Sequence, residues 1–383
     1  MFPRSAGLKE FDLCERSRWL GHPLSVSRLG ATHPPHRWDR SSLRFEPNHY
    51  NVMVLLECTM TPRSRFFLIV LFLLLRGSAL PQSVGQVNTD VPPKDIRVTL
   101  LGTASGPRAF VDKAGISTLV EAGGERLLFD AGRGSMQRLV QAGFPMNAVT
   151  KLFLTHLHSD HVIGVPDLML SPWSAAPERK APLEIWGPAG TRDMMRHLEE
   201  AFAFDIHMRR DVDESFSPDG IRMVAHDIHV GKVYEKNGVT VTAFLVSHGL
   251  VKPSYGYRVD YAGRSVALSG DTSPSDNVVA ACKGVDVLIH EAIDPDVLRC
   301  LVPDKSRMDA IVARHTTPEQ AASIFSRVSP RLAVFSHSPG TAAIVEQTRR
   351  SYAGRVEMGD DLMVIDIGAE VRVKPAAAGV RPR

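Results

Sequence analysis

Short apolar runs separated by polar turns recur from Ile96 to about Val373. Nine of them have the apolar and β-branched composition of strands, and they begin at residues 96, 117, 126, 151, 239, 264, 285, 331 and 362. Six stretches have the three- and four-residue spacing of amphipathic helices, at 135–142, 162–170, 190–203, 275–283, 318–328 and 341–350. The first strands are joined by short loops and the later ones alternate with helices. This order predicts a mixed α/β fold with two β-sheets and outer helices.

Residues 66–75 form a continuous apolar run, preceded by Arg63 and Arg65 and followed by small residues at 77 and 79. The run is too short for a membrane span, which needs about 20 residues. This layout predicts a signal peptide over 60–79, a linker over 80–94 and export to the periplasm or the medium, with no stable membrane span after cleavage. The alternatives are an uncleaved anchor or a short buried strand, and the protein is cytoplasmic if the signal is not used.

Residues 1–59 are rich in Arg, Ser, His and Pro and show no sustained periodicity. A signal peptide also begins close to its charged region, which leaves this segment without a role. We therefore expect it to be a disordered, wrongly assigned extension, with translation starting at Met60 or Met53. The folded hydrolase domain is predicted over 95–375, with a tail at 376–383.

Composition indicates a globular protein with a core, because 44% of the residues are hydrophobic and 23% are charged. The formal charge is +3, but residues 1–79 hold 11 Lys and Arg against 6 Asp and Glu, so the remainder is net −2. The overall basic balance is therefore no argument for nucleic-acid binding.

Four cysteines are present, and only Cys282 and Cys300 follow the predicted signal segment. In an oxidising compartment these two could form a disulfide. Two separate buried thiols are an equally good interpretation, because sequence alone does not give their separation.

The strongest chemical signal is the segment THLHSDH at 155–161, which follows a predicted strand and precedes a predicted helix. His156 and His158 lie two residues apart on an extended segment and so point to the same side. The turn that follows brings Asp160 and His161 towards a second centre. Imidazole and carboxylate ligands at this density favour divalent ions, zinc foremost.

Three more polar residues each end an apolar run, a position at the rim of a sheet where sites form. They are His248 in VSHG, Asp271 in SGDT and His337 in FSHS. The alternative for each of them, when it is taken alone, is a loop histidine with satisfied hydrogen bonds or a turn-forming aspartate.

The motif at His156, His158, Asp160 and His161 resembles the HxHxDH motif of the metallo-β-lactamase superfamily. The resemblance extends over about 96–367, with Asp130 and Gly132 matching an element that supports the metal loop. It implies an αββα sandwich of two mixed β-sheets flanked by helices, and two zinc ions. His248 then completes the first metal site, Asp271 bridges the two ions, and His337 completes the second.

Within that superfamily the chain resembles the group of ribonuclease Z and the zinc-dependent arylsulfatases. LLGTASGP at 100–107, HGLVKPSYGYR at 248–258, HEA at 290 and HTTPEQA at 315 carry this resemblance. It implies that His315 is the general acid for the leaving group, oriented by Glu291, while Asp160 also accepts a proton. Members of the group are often dimers, which implies a homodimer, although no segment identifies an interface.

The resulting prediction is an exported dinuclear zinc hydrolase that cleaves a small anionic ester, a sulfate or phosphate ester, with a metal-bridging hydroxide. The alternative is a ribonuclease Z that processes tRNA 3′ ends. Bacterial members carry a tRNA-gripping arm between two motifs that here are separated only by residues 259–269, so we expect nucleic acid to be an unlikely partner. A lactone substrate fits the same metals. A non-catalytic metal-binding module is the second alternative, disfavoured because all seven ligand positions are filled.

Overall fold

The computed structural model describes residues 91–212, 216–338 and 342–376. The predicted extension, the signal peptide and the last seven residues lie outside this range, as does most of the predicted linker.

Eight strands form the first β-sheet, in the order β15-β14-β1-β2-β3-β4-β5-β6. Their bounds are β1 Ile96–Gly102, β2 Ser117–Ala122, β3 Glu125–Phe129, β4 Lys151–Phe153, β5 Leu183–Gly187, β6 Met223–Asp227, β14 Met363–Ile367 and β15 Val371–Lys374. Strands β1 to β3 are antiparallel neighbours, as their short connections predict, and β3 to β6 run parallel.

Seven strands form the second sheet, in the order β13-β12-β11-β10-β9-β8-β7. Their bounds are β7 Gly231–Lys236, β8 Val239–Leu245, β9 Tyr255–Tyr261, β10 Arg264–Leu268, β11 Val287–His290, β12 Leu332–Phe335 and β13 Val356–Met358. The four strands from β10 to β13 run parallel, and β7 to β10 are antiparallel.

Ten α-helices lie in the described residues. They are α1 Ser135–Gln141, α2 Ser159–Val162, α3 Val165–Ser174, α4 Thr191–Ala201, α5 Ala203–His207, α6 Asp276–Cys282, α7 Pro295–Leu301, α8 Lys305–Val312, α9 Pro318–Val328 and α10 Ala342–Arg349. Helix α9 begins with a capping box, because the Thr317 side chain accepts from the backbone of Gln320 while the Gln320 side chain accepts from Thr317. None of these helices combines the length and apolar character needed to cross a bilayer.

The core has three layers of apolar contact. Facing side chains of the two sheets, including Phe153 and Tyr257, form the central layer. The first sheet packs its other face against α1, α3 and α4, and the second sheet packs against α6, α9 and α10. The predicted αββα sandwich is therefore confirmed.

The sequence patterns missed strands with weak alternation, such as the half-exposed β7, and the helices α7 and α8, which contain no buried residue. The single helix predicted over 162–170 is two helices, α2 and α3, separated at Gly164. Cys282 is buried and Cys300 is exposed, so the two are not both buried thiols.

A candidate metal centre between the two sheets

The predicted ligands follow the carboxyl ends of β4, β8, β10 and β12, which meet at one edge of the sandwich. Two buried contacts hold the sheets together at this edge. The Tyr257 hydroxyl donates to the Leu154 carbonyl at 2.7 Å, and the Tyr255 amide donates to the Thr155 carbonyl at 2.9 Å. Because both acceptors immediately precede His156, these bonds fix the start of the motif.

Cluster 1 consists of His156, His158, His248 and Asp271, whose ligand atoms all lie within 4.8 Å of one another. His158 Nδ1 lies 2.9 Å from His156 Nε2 and 3.3 Å from His248 Nε2. Two nitrogens bound to one tetrahedral zinc ion lie about 3.3 Å apart. The spacing of the three imidazoles therefore fits one such ion.

Cluster 2 consists of Asp160, His161 and His337. Asp160 Oδ2 lies 3.2 Å from His337 Nε2 and 3.7 Å from His161 Nε2. The structure thus brings all seven predicted ligands together and divides them into the two groups that the sequence predicts.

Asp271 lies between the clusters and presents one oxygen to each. Its Oδ2 is 3.7 Å from His248 Nε2 and 3.9 Å from His156 Nε2. Its Oδ1 is 3.1 Å from His337 Nδ1 and 3.5 Å from His161 Nε2. This is the position required of a bridging carboxylate.

A second set of hydrogen bonds determines which ring nitrogen of His161 and of His248 can bind metal. His161 Nδ1 donates to Asp130 Oδ2 at 2.8 Å, and His248 Nδ1 donates to the Arg314 carbonyl at 3.1 Å, so both leave Nε2 free to bind metal. Asp130 also accepts from the Thr155 amide and hydroxyl. The sequence predicted Asp130 as a supporting residue but not Thr155, although Thr155 directly precedes the first histidine of the motif.

Three buried polar atoms at the junction of the clusters form no hydrogen bond of acceptable geometry with any of the described residues: His161 Nε2, Asp271 Oδ1 and His337 Nδ1. An unpaired buried polar group is costly unless something else satisfies it. Because all three atoms lie within a few ångströms of one another, a shared cation satisfies them together. The donor set therefore fits a metal centre.

The charge states also suit metal binding, which needs neutral imidazoles and ionised carboxylates. Burial lowers the pKa of His156 well below its ordinary value and that of His248 to about 4. Burial alone would raise the pKa of Asp271, but His337 and His161 hold it well below the ordinary value. Burial would likewise lower the pKa of His161, but the carboxylates of Asp271 and Asp130 raise it well above the ordinary value. These carboxylates favour positive charge at this place, and a bound metal ion supplies that charge while leaving the imidazole neutral.

The backbone around the site is tightly constrained. A Cβ on Gly270 would lie 2.6 Å from the Tyr255 carbonyl, and Gly270 also has a φ of +61°. Asp130 and His337 adopt positive φ angles of 56° and 50°, which are uncommon for residues with a side chain. Such conformations persist where the surrounding structure enforces them, and they concentrate at functional sites.

His315 and Glu291 lie together beside the clusters. His315 Nδ1 is 3.1 Å from Glu291 Oε1, an oxygen that also accepts from the amides of Thr272 and Thr316. Burial would lower the pKa of His315, but Glu291 raises it to about 9. The imidazole rings of His315 and His248 lie 5.0 Å apart. The predicted pair therefore exists and borders the metal centre.

Comparison with known proteins identifies the class. Residues 125–338 match the family described as the beta-lactamase superfamily domain. The chain belongs to the metallo-β-lactamase superfamily and is a metal-dependent hydrolase that acts on ester bonds.

Within that family the chain is similar to proteins named ribonuclease Z. A ribonuclease Z of Mycobacterium sp. (strain KMS) is 35% identical over 288 residues, which cover 73% of this chain and 99% of the relative. A ribonuclease Z of Mycobacterium avium (strain 104) is 36% identical over 72% of this chain and 99% of its own length. The solved short form of human tRNase Z is 25% identical, with a TM-score of 0.53 over 71% of this chain and 99% of that one. These relatives weigh against our expectation that nucleic acid is an unlikely partner.

Proposed function

We propose that this protein is a dinuclear zinc phosphodiesterase of the ribonuclease Z type. The observation that carries the proposal is the placement of the two Asp271 oxygens, one facing each cluster. Two cations held by one carboxylate suit an in-line displacement at phosphorus. The relatives named ribonuclease Z, matched over 99% of their length, support a phosphodiester as the substrate class.

The short segment at 259–269 does not argue against this function as strongly as the sequence suggests. The structure forms a tight hairpin there, in which Tyr261 of β9 pairs with Arg264 of β10. However, the alignment with the Mycobacterium sp. (strain KMS) ribonuclease Z covers 73% of this chain and 99% of the relative within only 288 positions. This leaves no room for an arm-sized insertion in that relative. The missing arm therefore does not separate the two alternatives.

The ions would be held by His156, His158 and His248 on one side and by Asp160, His161 and His337 on the other. When bound, they polarise the ester and activate a water molecule for attack. Asp160 has a carboxylate at the open side of cluster 2, where it can accept a proton from that water. Burial would raise the pKa of this carboxyl, but His337 and His161 lower it well below its ordinary value, so it is ionised and able to accept.

His315 supplies the proton for the departing oxygen. Its Nδ1 is bound to Glu291, which leaves Nε2 as the nitrogen that can donate to substrate. The Glu291 side chain is 1% exposed and fixed by two backbone amides, so it orients the ring instead of contacting substrate. Glu291 is accordingly a positioning residue.

A substrate panel tests this function on the zinc-loaded full chain. We expect cleavage of bis(4-nitrophenyl) phosphate and of a precursor tRNA with a 3′ trailer, both abolished by a chelator and by Asp271→Ala. His197→Ala, which changes an exposed histidine on α4, is the control and should retain full rates. Hydrolysis of 4-nitrophenyl sulfate or phosphate with no cleavage of either diester contradicts the proposal.

An exported hydrolase of small anionic esters, similar to the arylsulfatases, is the second candidate function. The predicted signal segment at 60–79 favours it, because export removes the protein from tRNA. N-terminal sequencing of the protein recovered from its natural compartment tests this candidate. A mature chain beginning at Leu80 supports it, and a chain beginning at or before Met60 argues against it.

Two further predictions concern assembly and a non-catalytic role. The homodimer implied by the resemblance is tested by light scattering on the purified full chain, where a monomer mass contradicts it. A purely metal-binding role predicts no turnover with any ester of the panel.

A further inference from the structure

A pocket of about 190 Å³ lies beside cluster 2. Its lining combines three cationic side chains, Arg108, Lys113 and Arg133, with the apolar side chains of Phe110 and Ile163. Asp160 also lines it, so the pocket opens directly onto a predicted metal ligand.

The pocket and the metal centre share contacts. The Gly106 amide, at the pocket wall, donates to His337 Nε2 at 3.4 Å. The same nitrogen lies 3.2 Å from Asp160 Oδ2. A group bound in the pocket therefore lies next to a group bound at cluster 2.

The cations of the pocket stand apart from most arginines of the surface. Arg196 is paired with Asp193 and Glu200, and Arg372 with Glu370. In contrast, Arg108 and Arg133 are exposed, and neither forms an ion pair with a carboxylate of the described residues. Lys113 lies 3.8 Å from Asp360. The pocket thus carries two arginines that no carboxylate of the described residues pairs.

The loop that carries Arg108 and Lys113 is anchored at both ends by one buried carboxylate. Asp361 accepts from the amide and hydroxyl of Thr103 and from the amide of Ala114. Arg138 pairs with Asp361 at 3.0 Å and also donates to the Asp112 carbonyl inside the loop. Because the backbone of this loop is already fixed, binding of a ligand there loses little backbone conformational entropy.

We infer that this pocket binds a second phosphate of the substrate, adjacent to the phosphodiester at the metal centre, with its nucleoside against Phe110 and Ile163. The cations match a phosphate, and the apolar wall matches a base or ribose face. The inference rests on the proposed function and makes its substrate a polynucleotide end, since a small ester has one phosphate only.

Calorimetric titration of the zinc-loaded full chain with two nucleotides tests the inference. Adenosine 3′,5′-bisphosphate should bind about tenfold more tightly than adenosine 5′-monophosphate, the size of effect expected for one additional hydrogen bond between charged groups. The double variant Arg108→Ala/Arg133→Ala should lose this preference. Arg350→Ala, which removes an exposed arginine directly after α10, is the control and should keep the preference for the bisphosphate. The zinc content and melting temperature of each variant report whether it is folded.

A wild-type chain with no preference for the bisphosphate, or a double variant that keeps it, overturns the inference. Cleavage of bis(4-nitrophenyl) phosphate by the wild type, measured alongside, reports the proposed function separately. If the wild type cleaves the diester but does not prefer the bisphosphate, the proposed function stands and the inference about the pocket is wrong. If it prefers the bisphosphate but does not cleave the diester, the inference about the pocket stands and the proposed function is wrong.

Discussion

Asp130 gives the sharpest test of how the protein prepares its metal ligands. In Asp130→Asn, one oxygen can still accept from the Thr155 amide, but an NH2 group replaces the oxygen that faces His161 Nδ1 at 2.8 Å. The new side-chain NH2 group and the Nδ1–H of His161 would then face each other as two donors. The imidazole resolves this by moving its proton to Nε2, the nitrogen that must bind metal.

The expected loss follows from that change of tautomer. Replacing such an outer partner of a metal ligand costs about 10- to 100-fold in metal affinity, which corresponds to about 1.4 to 2.7 kcal/mol. The loss should fall on cluster 2, which contains His161, and spare cluster 1. Zinc titration against a competing chelator resolves the two affinities.

Asp366→Asn is the matched control. This carboxylate also forms an ion pair, partly buried, with Arg97 at 2.6 Å, but it lies at the opposite end of β1 from the site. Its removal should leave both zinc affinities unchanged. Equal zinc binding by Asp130→Asn and the wild type would refute the argument that Asp130 sets the His161 tautomer.

Two other predictions follow from buried pairs. His315→Ala should slow the hydrolysis of esters with poor leaving groups by about 10²- to 10⁴-fold. It should slow the hydrolysis of 4-nitrophenyl esters little, because 4-nitrophenolate departs without a proton. Equal slowing across a leaving-group series contradicts the general-acid role. Asp361→Asn leaves the buried Arg138 without its charge partner and should lower the free energy of unfolding in urea by about 3 kcal/mol. The control Glu370→Gln, from an exposed pair, should cost at most about 1 kcal/mol, and equal losses in the two variants would show that the Asp361 pair is not special.

The sequence predicted the layers and the ligands well because both depend on local signals. The strand at 151 ends at a compact motif, and four ligands within six residues leave few other interpretations. The two sheets with outer helices follow from runs such as β12, whose residues are apolar throughout because both faces of the strand are covered.

What the sequence could not supply is tertiary. The pairing of His315 with Glu291 was expected from the family resemblance alone, because it depends on the α7–α8 hairpin, which returns the chain so that the Ile293 amide donates to the Thr316 carbonyl. Both helices lack buried residues, so no apolar stripe marked them. The net charge was also misleading, because the cations at Arg108 and Arg133 are gathered in one pocket although the domain as a whole is slightly acidic.

The zinc content of the full chain tests the central claim, a two-ion site bridged by Asp271, most directly. Elemental analysis of the wild type should give about two zinc ions per chain, and His197→Ala should match it. Asp271→Ala should lose at least one of the two ions and most phosphodiester turnover. Fewer than about one ion in the wild type, or an Asp271→Ala protein with full zinc and full turnover, would contradict the account.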